Sequence, residues 1–312
     1  MTSFLDIDDS FIQQTEINGV RYYEVMGDYG QRKYPSVSTL VNSFKSTEGL
    51  KIWATNLGYE TITPEEQAAL SSETIRELVE SRGKVAANNI RDSAARRGTK
   101  THDLCEKYFK YGTVSDDPCF QRLLPFLKIC EPLTVETKVK WEWRPSPDVV
   151  VDLPENTVVG WSGRLDKVGK VDLTKLYTEH GVLLGNTSTP AIIDYKTWDK
   201  AKYNSGQTKA GSKYYPLLSY YLQLSAYLAG FNQCKYYSQL VDDAFLVGVT
   251  VTCREPWIYH INLEKVNFYF KELKAMVLAY YKLGTYSWEA LEEKVEPYLG
   301  ERVYINAPKL PF

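Results

Sequence analysis

Gly163-Arg164-Leu165-Asp166, read together with Ile192-Ile193-Asp194-Tyr195-Lys196-Thr197, decides how the 312-residue chain is to be understood. Both stretches end apolar-rich runs of strand length, and side chains alternate between faces along a strand. Asp194 and Lys196 therefore point one way and Tyr195 the other. If the two runs pair, Asp166 lies beside Asp194, and two carboxylates and one ammonium share a small space. Neighbouring carboxylates repel, and a divalent cation relieves them; phosphodiester hydrolysis uses such a cation as Lewis acid and activator of water. Lys196 is then placed to orient the attacking water and to offset charge building on the phosphorus. An isolated Asp-x-Lys also occurs as a surface ion pair at a strand end, so the reading depends on what flanks it.

Upstream stands Arg97-Gly98-Thr99-Lys100-Thr101-His102-Asp103-Leu104-Cys105-Glu106, and downstream Tyr220-Tyr221-Leu222-Gln223-Leu224-Ser225-Ala226-Tyr227. On a helix beginning near Thr99, His102 and Glu106 are four apart and share a face. On a helix from about Leu217 to Gly230, Tyr220, Gln223 and Tyr227 form one stripe. Tyrosines at that spacing usually belong to a core, whereas a buried Gln223 amide needs partners.

The order Gly-x-x-x-His, Gly-x-x-Asp, Asp-x-Lys, Gln-x-x-x-Tyr resembles the PD-(D/E)xK nuclease superfamily in its RecB-like exonuclease branch. Tyr34-Pro35-Ser36-Val37-Ser38-Thr39-Leu40 narrows the resemblance to phage exonucleases related to the mitochondrial genome maintenance exonuclease. The motifs run from Tyr34 to Tyr227, and their joint order is more specific than any one of them. The resemblance implies an α/β fold with a restriction-endonuclease-like core, a small mixed sheet of about four to six strands flanked by helices. It implies Mg2+ or Mn2+ held by His102, Asp166 and Asp194, with the Tyr195 carbonyl completing the shell and Lys196 beside the water. Gln223 and Tyr227 would position the strand, and Arg97 or Lys100 would assist the phosphate. Glu136 is a candidate helper, because such sequences often carry a glutamate on the strand before Gly-x-x-Asp; Glu106 is another. The implied function is a metal-dependent DNA exonuclease acting from single-stranded ends, in recombination, end processing or DNA degradation, beside recombination or replication proteins. The alternatives are a structure-specific or flap endonuclease of the same fold, and a non-catalytic DNA-binding or assembly module. A mere binder has no use for clustered carboxylates facing phosphate, which argues against the last.

Composition sets the frame. The length suffices for one large core or two smaller ones, and a division into 1–115 (hairpin and helices) and 116–312 (nuclease core with a closing helix) is expected. No run of about 18 apolar residues occurs, so no membrane span is expected. The acidic start, Met1-Thr2-Ser3-Phe4-Leu5-Asp6-Ile7-Asp8-Asp9, lacks the basic character of a leader and points to work in the cytoplasm where the chain is made. Five cysteines without C-x-x-C predict neither a disulfide framework nor a zinc ribbon, and the four-cysteine pattern of an iron–sulfur cluster is missing. The net charge of −2 carries no global signature of nucleic-acid binding. Locally, Arg82, Lys84, Arg91, Arg96, Arg97 and Lys100 face only Asp92, which suits either a solvated helix face or one turned to DNA.

Turn and periodicity signals place the remaining elements. Residues 17–34 predict a hairpin turning at Gly27-Asp28-Tyr29-Gly30. Ser36 or Ser38 caps a helix before Leu40, Val41 and Phe44, and such a helix start is also a ready phosphate site. Leu50 to Gly112 reads as helical, with Thr63 capping Pro64, a break at Arg82-Gly83, and Gly98 allowing a turn or a close approach. Strands are expected over Thr134–Trp143, Val158–Val168, Phe245–Cys253 and Trp257–Ile261. Asp172–Pro190 is an excursion between the two acidic strands. Trp198–Lys213 is a loop whose Lys200, Lys202, Lys209 and Lys213 track a phosphate backbone or keep the loop soluble. Glu264–Leu283 closes the chain as a helix, followed by an irregular end from Pro297.

Overall fold

Asn18-Gly19 is the first turn signal along the chain that the backbone obeys: both residues take positive φ, 52° and 76°, as a two-residue hairpin loop demands. In the computed structural model, which describes residues 4–45, 48–150, 154–198 and 217–305, this turn joins β1 (Ile12–Ile17) to β2 (Val20–Gly27). A second turn at Asp28-Tyr29 leads to β3 (Gly30–Pro35), giving an antiparallel three-stranded sheet where a single hairpin was expected.

A helical run follows: α1 (Val37–Asn42), α2 (Glu48–Tyr59), α3 (Pro64–Ala69), α4 (Ser72–Tyr111) and α5 (Pro118–Leu127). Thr63 caps the helix that starts at Pro64, as the sequence predicts, and Glu66 completes a capping box with it. The expected break at Arg82-Gly83 and restart near Thr99 do not occur, because α4 is one helix of 40 residues, capped by Ser71 and closed by left-handed Gly112. Gly83 is in the helix for clearance. A Cβ there would run into the carbonyl of Ala54, and one at Gly58 into the carbonyl of Val79, so α2 and α4 cross backbone to backbone. Arg82 is also held, donating to both carboxylate oxygens of Glu66 at 2.8 and 2.5 Å. Gly98 neither turns the chain nor touches tightly: a Cβ would sit 3.6 Å from Thr197 Oγ1, an ordinary contact. The two glycines should respond oppositely to alanine. Gly98→Ala raises stability by roughly 0.5–1 kcal/mol, the usual gain inside a helix, while Gly83→Ala lowers the melting temperature and speeds amide exchange in α2. Equal shifts in the two melts would discount the close crossing.

The main sheet is built from β4 (Cys130–Trp143), β5 (Val159–Asp172), β6 (Tyr177–Thr178) and β7 (Ser188–Thr197). It continues after α6 (Leu217–Cys234) with β8 (Asp243–Val249) and β9 (Trp257–Ile261). After α7 (Leu263–Tyr280) and α8 (Trp288–Lys294), β10 (Glu301–Tyr304) adds to it. Its order is β4-β5-β7-β8-β9-β10-β6, and only β7 and β8 run parallel, with α6 as the crossover between them. Seven strands exceed the four to six expected. The surplus comes from the excursion after β5, which supplies β6, and from the end thought irregular, where β10 pairs with β9 and β6. β8 stops at Val249 rather than Cys253 because the Thr250 hydroxyl accepts the amides of Thr252 and Cys253, turning the chain.

Two cores sandwich this sheet. Leu165, Val168, Ile192 and Leu246 meet Leu222 of α6 and Tyr269 and Met276 of α7 on one face. On the other, Ile193, Tyr195, Phe245 and Val247 meet Phe120, Leu123 and Phe126 of α5 and Cys105 of α4. Trp141 and Trp161 are directly opposed on β4 and β5 and stack at 4.2 Å and 18°. The small sheet docks beside β4 and β5: Asp9 Oδ2 accepts the Lys138 amide at 2.8 Å, Tyr34 donates to Glu142 at 2.9 Å, and Ser36 forms a bridge to Ser162. Among the described residues no helix is long and apolar enough to cross a membrane.

Candidate metal centre

Pairing of β5 with β7 sets Lys167 opposite Ile193, so Asp166 and Asp194 occupy the next step of the same register, despite the long excursion between the strands. Asp166 Oδ2 accepts the Tyr195 amide at 2.8 Å. Helix α4 delivers His102 from above: its Nδ1 is 3.2 Å from Asp166 Oδ1 and its Nε2 is 2.9 Å from the Tyr195 carbonyl. Both ring nitrogens thus face acceptors. Burial opposes a charged ring, but the charge and hydrogen bond of Asp166 overcome it and raise the His102 pKa to about 9. Holding a cation would require the ring to give up the proton that this favours, so metal binding at His102 is coupled to proton release.

Glu136 completes the group. It stands across from Asp166 on β4, between the pairs Val135 with Lys167 and Thr137 with Leu165. Its φ of 51° is a left-handed conformation inside a strand, which costs a residue with a Cβ about 1–3 kcal/mol and is found where function fixes a side chain. His102, Glu136 and Asp166 each offer a ligand atom, all within 4.8 Å of one another. Burial, then the like charge of Asp166, pushes the Glu136 carboxyl up to about 7. Glu106 lines the same small cavity but is bound to Lys110 at 2.5 Å.

Asp194 lies outside this three-residue group in the described geometry. Lys196 Nζ stands 2.6 Å from its Oδ2 and 5.2 Å from the centre of the Tyr220 ring. The Asp194–Lys196 contact is charge against charge, since Oδ2 is buried without a well-angled hydrogen-bond donor among the described residues. Burial, opposed by Lys196 and reinforced by Asp166, pushes the Asp194 carboxyl up, while Asp166 is held down against its burial by His102. Glu136 and Asp194, both buried carboxyls pushed up by burial and by the charge of Asp166, would be relieved by added positive charge. With an imidazole and the Tyr195 carbonyl beside them, they form a donor set suited to a borderline divalent cation such as Mn2+.

Helix α6 supplies the other wall. Gln223 Nε2 donates to the Tyr227 hydroxyl at 2.8 Å, which answers the amide's need for a partner. The Tyr227 ring lies on Gly163, where a Cβ would sit 2.6 Å from its Cε1; the glycine of Gly-x-x-Asp is the seat of that ring.

The expected phosphate contacts fare differently. Ser36 is buried and caps the six-residue α1 through the Thr39 amide at 3.0 Å, so capping is its role; Ser38 is exposed beside it. Lys100 is tied to Asp117, the cap of α5, at 2.8 Å, and Arg97 Nε is buried without a hydrogen-bond acceptor among the described residues. Within the cationic stretch Arg82 and Arg91 have acidic partners in Glu66 and Asp92. Lys200, Lys202, Lys209 and Lys213 lie outside the described residues. Two residues escaped the sequence reading. Arg164, inside Gly-x-x-Asp, has Nε 3.0 Å from Glu136 Oε2; Lys167 is fully buried with its ammonium 3.2 Å from the centre of the Phe109 ring.

No protein-family model matches the sequence, and no curated protein matches it either. The site is accordingly read from its own chemistry. His102→Ala should weaken Mn2+ binding by tenfold or more, on the scale of about 10–100-fold seen when a metal site loses a supporting group, with DNA affinity in EDTA little changed. Equal Mn2+ isotherms for the two proteins in calorimetry would make His102 a structural cation only.

Proposed function

We propose that the protein is a metal-dependent deoxyribonuclease of the PD-(D/E)xK type, cutting DNA from single-stranded ends. The observation that carries this reading is the convergence of His102, Glu136 and Asp166 beside the Asp194–Lys196 pair, where α4 meets β4, β5 and β7. The mixed sheet flanked by helices also supports it, since that is the architecture implied for a restriction-endonuclease-like core.

His102, Glu136 and Asp166 hold the cation in this reading, with Asp194 and the Tyr195 carbonyl adjoining. A bound Mg2+ or Mn2+ supplies Lewis acidity to the scissile phosphate and makes water nucleophilic near neutral pH. Lys196, kept protonated by Asp194 and Asp166 against its burial, donates to the attacking water and offsets charge as the phosphorus gains a fifth oxygen. Tyr227, locked by Gln223 and seated on Gly163, forms a rigid wall against which the strand is positioned. End-labelled single- and double-stranded DNA incubated with Mg2+, Mn2+ or EDTA tests the reading. Stepwise shortening of single strands with either metal, abolished by EDTA, is expected; intact DNA under all conditions overturns it.

A further inference from the structure

The Glu136 carboxylate has two claimants. One oxygen is within the group formed with His102 and Asp166, and Oε2 is 3.0 Å from Arg164 Nε. Arg164 is more than half exposed, one residue from the seat of Tyr227 and two before Asp166, so its guanidinium sits at the mouth of the cluster. The small sheet begins nearby. The Arg21 carbonyl accepts the Ser36 amide at 3.1 Å, and Ser36 bridges to Ser162, which anchors the start of β2 next to the Gly163-Arg164 stretch of β5. The small sheet is thus anchored against the strand that carries Arg164.

We propose that Arg164 is a phosphate clamp for the nucleic-acid strand, held shut by Glu136 and released when a divalent cation draws Glu136 into the metal centre. The proposal rests on the nuclease reading. A guanidinium already paired with a carboxylate presents less charge and fewer free N–H donors to a phosphodiester, whereas a freed one offers a planar fork matched to phosphate oxygens. A cation competing for Glu136 would therefore arm the strand-binding site as it loads. Metal then precedes DNA, and idle binding without metal is suppressed.

The test reads binding, not turnover. Fluorescence anisotropy of a labelled thymidine oligonucleotide is measured in EDTA for the wild type, Glu136→Gln, Arg164→Ala and the double variant. Glu106→Gln serves as the control for removing one nearby negative charge. Glu136→Gln should bind about tenfold tighter than Glu106→Gln, the scale of one charge-assisted phosphate contact. Adding Arg164→Ala should erase the gain and reduce the salt slope by about 0.7, one phosphate on a single strand. Ca2+ should tighten wild-type binding and leave Arg164→Ala nearly unmoved. Melting curves establish that each variant is folded. Glu136→Gln no tighter than Glu106→Gln, or a gain that persists in the double variant, overturns the clamp even if the wild type cuts DNA. A wild type that neither binds Mn2+ in calorimetry nor cuts DNA overturns the nuclease reading, and the clamp with it.

Discussion

Asp194→Asn should cut DNA at least about 10³-fold more slowly than the wild type, the scale on which members of a catalytic unit fail. Asparagine is the informative replacement. Asp194 is buried against Lys196 at 2.6 Å, and alanine would strand that ammonium in the interior, where a lost partner is strongly destabilising. The amide keeps the shape and an acceptor oxygen but removes the charge that holds Lys196 protonated and completes the carboxylate set. Asp166→Asn and Lys196→Met should fall to similar rates, and the double change Asp194→Asn with Lys196→Met no further, because the three residues act on one transition state. Initial rates on an end-labelled single strand in Mn2+ decide the matter. A folded Asp194→Asn protein cutting near the wild-type rate would remove Asp194 from the chemistry and leave the His102, Glu136 and Asp166 group to account for it.

Closed single-stranded circles should survive conditions that digest the same DNA once linearised. Helix α4 is about 60 Å long at 1.5 Å per residue, and of its 40 residues only Val79, Gly83, Thr101 and Cys105 are buried. Its first half is largely exposed and braced by α2, and its C-terminal part carries His102 to Asp166 and Tyr195 in the candidate metal centre. A braced helix that ends in the site is suited to lie over an approaching strand, so that the strand enters by its end. Duplex DNA, about 20 Å across, would need its strands parted first, and aromatic stacking at about 1–3 kcal/mol per base would hold a single strand without reading sequence. Circles and linear strands disappearing at equal rates would mean an open cleft and an endonuclease.

Much of this site is visible in the sequence, for reasons that differ by residue. Asp194 and Lys196 are legible because a strand's alternation is rigid, and the Asp166 register survives the long excursion because both strands lie inside the sheet and β7 is apolar on both faces through Ala191, Ile192 and Ile193. His102 is legible through its place in a motif order; its spacing alone fits a core histidine better. Glu136 is harder. Regular alternation over Thr134–Trp143 groups it with Lys138 and Lys140, and only the pairing of β4 with β5, a long-range arrangement, sets it across from Asp166 and near His102. Gly83 misleads because a glycine in a polar helix reads as a break, while its reason lies on another helix, at Ala54. Asn18-Gly19 was the opposite case, a local and specific turn signal whose partner strand β1 is too polar to stand out by periodicity. The strand β10 depends on pairing with β9 and β6, a long-range arrangement without a local signature.

The stacked indoles of Trp141 and Trp161 give the chain a built-in optical reporter. They are cross-strand partners on β4 and β5, the strands that carry Glu136 and Asp166, and the Trp161 ring is pinned by its N–H to the Ala226 carbonyl at 3.2 Å. Two indoles fixed at 4.2 Å share their electronic excitation, so their circular-dichroism bands split into a couplet whose sign records the twist between the strands. That couplet exists only while β4 and β5 are in register. Its loss during unfolding therefore times the dismantling of the carboxylate group itself, separately from the melting of the helices.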